Sequence, residues 1–116
     1  MEKANEKKSE LRLDMKAKIL YAMVQGFFKP ADANEFIEEY TKNVKTINAK
    51  EYELHFDCKS MKVSSQEMVP MLTACFEMYK KDGFTKVVFY CGESASLKLQ
   101  IRRVGNIVEL PNFEVL

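Results

Sequence analysis

Residues Glu51–Met68, "EYELHFDCKSMKVSSQEM", hold a strand and the start of a helix within one short span. Tyr52, Leu54 and Phe56 alternate with Glu53, His55 and Asp57, the two-residue period of a strand with one apolar face. After a polar stretch the period lengthens. Met68, Leu72, Cys75 and Tyr79 recur at i, i+4, i+7 and i+11, widened by Val69 and Phe76, which is one apolar stripe of a helix. The junction "VSSQEM" reads as a helix start. Ser64-x-x-Glu67 matches a capping box, with Val63 and Met68 placed as a hydrophobic staple. Pro70 conflicts with this, because it falls six residues past Ser64 and would crowd the carbonyl of Gln66. Either the helix kinks there, or Ser64 to Met68 form a separate first turn. Gly83, behind Lys80 and Lys81, stops the helix.

The flanking segments repeat this alternation. Upstream, Leu11, Leu13 and Met15 alternate, and Ile19 to Val24 is apolar on both faces, the pattern of a strand covered on both sides. These residues form two strands joined near Asp14 to Lys16, or one long bent strand. "KPADANEFIEEYTKNVKTI" is a helix with Pro30 in its first turn and Ala33, Phe36, Ile37, Tyr40 and Val44 on one face. Downstream, "TKVVFYC" reads as a central strand. "SASLKLQIRRVGNIVEL" reads as a third helix ended by Pro111 and weakened by Gly105, and "NFEVL" as a last short strand. Alternating strands and helices predict a single α/β sandwich, with a mixed, mostly parallel sheet of four or five strands and three main helices. Residues 1–10 are expected to be a flexible polar tail or leader and residues 11–116 the domain.

Composition narrows the function. The chain has 18 basic and 17 acidic side chains, a net charge of +1, so no basic excess marks a nucleic-acid partner. The longest apolar run, Ile19 to Val24, is far short of a membrane span, and no secretory leader is visible, so the expected location is cytoplasmic. Cys58, Cys75 and Cys91 form no CxxC pair and fit reduced, buried thiols. His55 and Cys58 point to opposite faces of one strand, so no metal site is expected. With four glycines no phosphate-binding loop can be drawn, and no cofactor is expected. Met61, Met68, Met71 and Met78 are read as core filler, and the richness in methionine and phenylalanine, 7 and 8 residues, also suits a carrier of an apolar molecule.

The order of elements, with "KPADANEFIEEY", "YELHFD", the serine pair, "GFTKVVFYC", "LKLQIRRV" and "NFEVL", resembles the STAS domain over about residues 17–116. That family includes anti-sigma-factor antagonists and the cytoplasmic tails of sulfate transporters. Its most specific part here is "DCKSMKVSSQEM". Members tend to carry a strand-end aspartate, a short loop, an acidic residue and a Ser/Thr pair followed by glycine, and one hydroxyl is phosphorylated by a partner kinase. Asp57 matches the aspartate and Ser64 the modified hydroxyl, with Ser65 beside it. Val63 and Gln66 replace the acidic residue and the glycine, and the loop is about two residues short. The resemblance implies a non-enzymatic regulatory domain that binds a protein partner near Ser64 and Ser65. The alternative is a carrier of a lipid or other apolar molecule on the same fold. Lys98 and Arg102 share a helix face and are candidates for an anion or an acidic partner. A homo-oligomer through an exposed edge strand is also open.

Overall fold

A computed structural model describes residues 7–116. Residues 1–6 of the polar leader lie outside it, but Ser9 and Glu10 already belong to β1 (Ser9–Asp14). The boundary at residue 10 thus falls inside a strand. Pairing with β2 (Ile19–Gly26) runs back through Ser9 opposite Val24, and the Lys8 carbonyl accepts from the Gln25 N–H at 2.9 Å. The two strands form a hairpin. Asp14 Oδ1 accepts from the N–H groups of Lys16 and Ala17 at 3.1 and 2.9 Å, an Asx turn that reverses the chain.

Helix α1 (Pro30–Val44) starts as its sequence predicts. Asp32 accepts from the Lys29 N–H at 2.9 Å, and Ala33, Phe36 and Tyr40 are buried. It leads to β3 (Glu53–Met61), then a single 3₁₀ turn (Gln66–Met68) that runs into α2 (Val69–Asp82). Gly83, at φ 80°, closes α2 in the left-handed conformation that favours glycine. Strand β4 (Lys86–Tyr90), helix α3 (Ala95–Ile107) and β5 (Phe113–Val115) complete the chain. Helix α3 stops before Pro111 is reached, and left-handed Glu109 (φ 57°) and Asn112 (φ 51°) turn the chain into β5.

The sheet order is β1-β2-β3-β4-β5, with β1 antiparallel and the other neighbours parallel. Each crossover adds its strand on the same side of the last. Right-handed crossovers stepping in one direction place every helix on the same face. Accordingly, Phe36 and Tyr40 of α1, Phe76 and Tyr79 of α2 and Leu97 and Ile101 of α3 share one core with Leu54, Phe56 and Phe89 of the sheet. Phe89 stacks between Phe56 and Phe76, with centroids 5.2 and 5.1 Å away.

The expectation that Ile19 to Val24 is covered on both faces is therefore corrected. Helices cover one face; Tyr21, Met23, His55 and Asp57 on the other are only half-buried. Val88 is buried on that open side because His55 and Glu114 flank it in register. All three cysteines are free and buried. No helix among the described residues is long and apolar enough to cross a membrane.

Candidate functional site

The parallel strands all end at one rim, where the loops into α1, α2 and α3 begin. The β3–α2 loop, Lys62 to Ser65, is pinned at two points. The Lys62 N–H donates to the Gly26 carbonyl at 2.9 Å. The Ser64 N–H donates to Gln100 Oε1 at 2.8 Å, and Gln100 Nε2 donates to the Ser64 carbonyl at 3.0 Å. One side-chain amide of α3 thereby pairs both backbone groups of Ser64, as a neighbouring strand would. Ser64 is buried, at 7% exposure. It does not cap a helix, so the expected capping box is corrected. Ser65 occupies the cap position of the 3₁₀ turn without a side-chain bond, and α2 proper starts at Val69. Pro70 thus sits in the first turn of α2, where its missing N–H costs little. The staple is absent as well: Val63 is exposed (38%) while Met68 is buried.

Ser65 is half-buried and is followed by exposed Gln66 and Glu67. Phe27, after β2, is 43% exposed, and Leu99, in the second turn of α3, and the terminal Leu116 are exposed too. Beneath the loop, Phe28, Met61, Met68, Met71 and Phe76 line an apolar cleft with Ser64 and Gln100 as its polar members. The space inside is about 60 Å³. Lys98 is half-buried and Arg102 exposed on α3, and both lie close enough to Cys91 to favour its thiolate. The larger cause there is the neighbouring Cys58 thiol: the pair shares one proton preference, with the Cys91 pKa lowered and that of Cys58 raised.

Asp57 is not part of this rim. Strand β3 continues to Met61, because Gln25 and Gly26 of β2 pair with Ser60 and Met61 beyond a register shift. Asp57 is consequently inside the strand and faces the open side, away from the serines. There it borders a shallow concavity of about 290 Å³ with Glu10, Arg12, Tyr21, His55 and Tyr90. His55 has oriented partners that strand spacing alone did not reveal. Its Nε2 lies 2.8 Å from Glu53 Oε1, and its Nδ1 lies 3.1 Å from the Tyr90 hydroxyl. A Glu53 carboxylate can only accept, so Nε2 is the donor there, and in the neutral ring Nδ1 then accepts from the Tyr90 hydroxyl. The Tyr21 ring meets His55 edge-on at 5.7 Å, and the Arg12 guanidinium lies 4.3 Å from the Tyr21 centroid.

Two features thus escaped the sequence reading. Gln100 carries no signal, since it is one polar residue beside the apolar stripe of α3. The Arg12–Tyr21–His55 row needs the register Arg12 opposite Tyr21 opposite His55, and periodicity gives faces but not register. Against known proteins, the chain matches no family model and no curated sequence.

Proposed function

We propose that the chain is a non-enzymatic, STAS-like interaction domain that binds a protein partner at the rim around Ser65. The observation that carries this reading is the pinned β3–α2 loop. Its backbone is fixed by Gly26 and Gln100, while Val63 is exposed and Ser65 half-buried, and Phe27, next to Gly26 in the chain, is exposed too. Rigid presentation of apolar side chains lowers the ordering cost of association. Ser65, rather than buried Ser64, is the accessible phospho-acceptor. A phosphate there stands at the N-terminal end of the turn that enters α2, where negative charge is favoured. Lys98 and Arg102 suit an acidic partner surface.

The alternative, a carrier of an apolar ligand, draws on the lining of the cleft beneath the loop. The 60 Å³ enclosed there is well below the several hundred Å³ that carriers of small molecules enclose, so it ranks second.

A photo-crosslinking amino acid at position 63, compared with one at exposed Ile107 on α3, tests the first reading in the source cell. A single discrete adduct from position 63 that is absent from position 107 and is lost on Ser65→Glu is the expected result. Equal labelling at both positions, or none at 63, rules the rim out as the docking site.

A further inference from the structure

Among the described residues strand β1 leaves its outer edge unpaired, and that edge is twice as long as the one at β5: Ser9–Asp14 has six residues, Phe113–Val115 three. The ladder fixes which backbone groups point out. Lys8 opposite Gln25 is a hydrogen-bonded pair, so bonding to β2 falls on the even-numbered residues of β1. The N–H and C=O groups of Ser9, Leu11 and Leu13 are directed away from β2; Leu11 and Leu13 are half-buried, and Ser9, at 6% exposure, must open to pair. Edges guarded against self-pairing carry proline, a bulge or charges that repel a second copy. Ser9–Asp14 has no proline and pairs with β2 without a register shift.

We propose that the protein self-associates by pairing β1 with β1 of a second copy, antiparallel about a two-fold axis at Leu11. Leu11 then stands opposite Leu11 of the second copy, and Ser9 opposite its Leu13, so every outward N–H and C=O of the three odd residues finds a partner. In the same register Glu10 stands opposite Arg12, twice by symmetry. Both side chains lie on the open face, and neither has an ion-pair partner among the described residues. Arg12, stacked on Tyr21, is already laid along that face.

The neighbouring registers fail on charge. An axis at Glu10 sets Glu10 against Glu10 and Arg12 against Lys8. An axis at Arg12 sets Arg12 against Arg12 and Glu10 against Asp14. Like charges directly opposite one another are destabilising. An axis at Leu13 would draw the turn residues Met15 to Lys18 into the ladder, where no strand exists. Leu11 is therefore the centre that combines full strand overlap with charge complementarity, and the two five-stranded sheets join into one. The outer pair, Lys8 with Asp14, adds less, since Lys8 already holds Asp32 at 3.4 Å.

Two paired strands bury less than a stable interface needs, so the dimer is weak and must be sought at high concentration. Sedimentation equilibrium of the wild type should show dimer at about 1 mM and monomer at about 10 μM. Glu10→Arg places two positive charges opposite each other across the axis, and Arg12→Glu places two negative ones. Each should weaken self-association about tenfold at low salt. An equimolar mixture of the two variants should recover wild-type association, because each cross-pair is again opposite in sign.

A wild type that stays monomeric at about 1 mM overturns the proposal. So do variants that associate as the wild type does, or a mixture that associates no better than its components. Glu10 and Arg12 are exposed. Circular dichroism should therefore show both variants folded. The rim around Ser65 is not touched by these changes, so the outcome is independent of the partner reading.

Discussion

At Gly105 one added methyl group has two opposed effects. By helix propensity alone, alanine in α3 gains about 1 kcal/mol over glycine. A Cβ at this position would stand 2.5 Å from Phe113 Cζ and 2.7 Å from its Cε2. The ring tip of the first residue of β5 rests directly on the glycine, and Gly105 is buried beneath it. Forcing the ring aside is overpacking, typically about 1–3 kcal/mol. We expect overpacking to win and Gly105→Ala to lower the urea midpoint, by about 1 kcal/mol in stability. In the background Phe113→Leu, whose side chain lacks the ring tip, the same substitution should be neutral or stabilising. A gain of about 1 kcal/mol from Gly105→Ala in the wild type would show that the ring moves freely and that propensity decides. The sequence reading counts this glycine only as a weak point in a helix. The contact that explains it joins residues on two different elements and is invisible to local pattern.

The β3–α2 connection shows where local pattern reaches its limit at the scale of an element. Periodicity places α1, α2, the one-sided face of β3 and the double burial of β4 correctly, because each is dictated by burial within one segment. Ser64-x-x-Glu67 has the residues of a capping box and does not act as one. Gln100, 36 positions away, takes both backbone groups of Ser64 and turns the loop into a pinned, extended segment. Asp57 was misplaced for a related reason: the length of β3 is set by its pairing with β2, which one strand's own sequence does not show. These two accounts predict different mutants. A true cap lost in Ser64→Ala costs about 1 kcal/mol. A serine held only by its main chain loses no bond in the same variant, so we expect less than about 0.5 kcal/mol. Gln100→Ala removes both partners of a buried backbone segment and should cost about 1–2 kcal/mol. Hydrogen exchange at the Ser64 amide should speed up in Gln100→Ala and stay slow in Ser64→Ala. The reverse ranking of the two variants would restore the capping box.

Across the whole molecule, the one-sided helix layer concentrates ionisable groups in a single core. Burial pushes the Cys75 thiol up from 9.0 to about 11. Tyr40 rises through burial and its 2.6 Å bond to Asp82, and Tyr79, fully enclosed beside Cys75, rises as well. Each of these groups is neutral when protonated, and folding favours that form. The unfolded chain releases the protons first, so above the unfolded pKa the native state binds more protons than the unfolded one, and stability falls as pH rises. The window follows from the shifts. The Cys75 contribution is intact below pH 9.0 and is lost between 9.0 and about 11. The two tyrosines add to the loss from pH 10.0 upward. For Cys75 alone the two-unit shift corresponds to about 2–3 kcal/mol by pH 11. Cys91, lowered by Cys58, has its stabilising contribution complete by pH 9.0 and leaves the fall above it unchanged, whereas Cys58, raised, adds to that fall. Urea midpoints should therefore hold level up to about pH 9 and then drop steeply, with part of the tyrosine ionisation appearing only as the helical circular dichroism is lost. Cys75→Ala should remove its share of the fall between pH 9.0 and about 11 and leave the share carried by the two tyrosines. A midpoint that stays level through pH 11 would mean that this core admits enough water to ionise its thiol and phenols in place, and the close packing of Phe56, Phe76 and Phe89 around them argues against that.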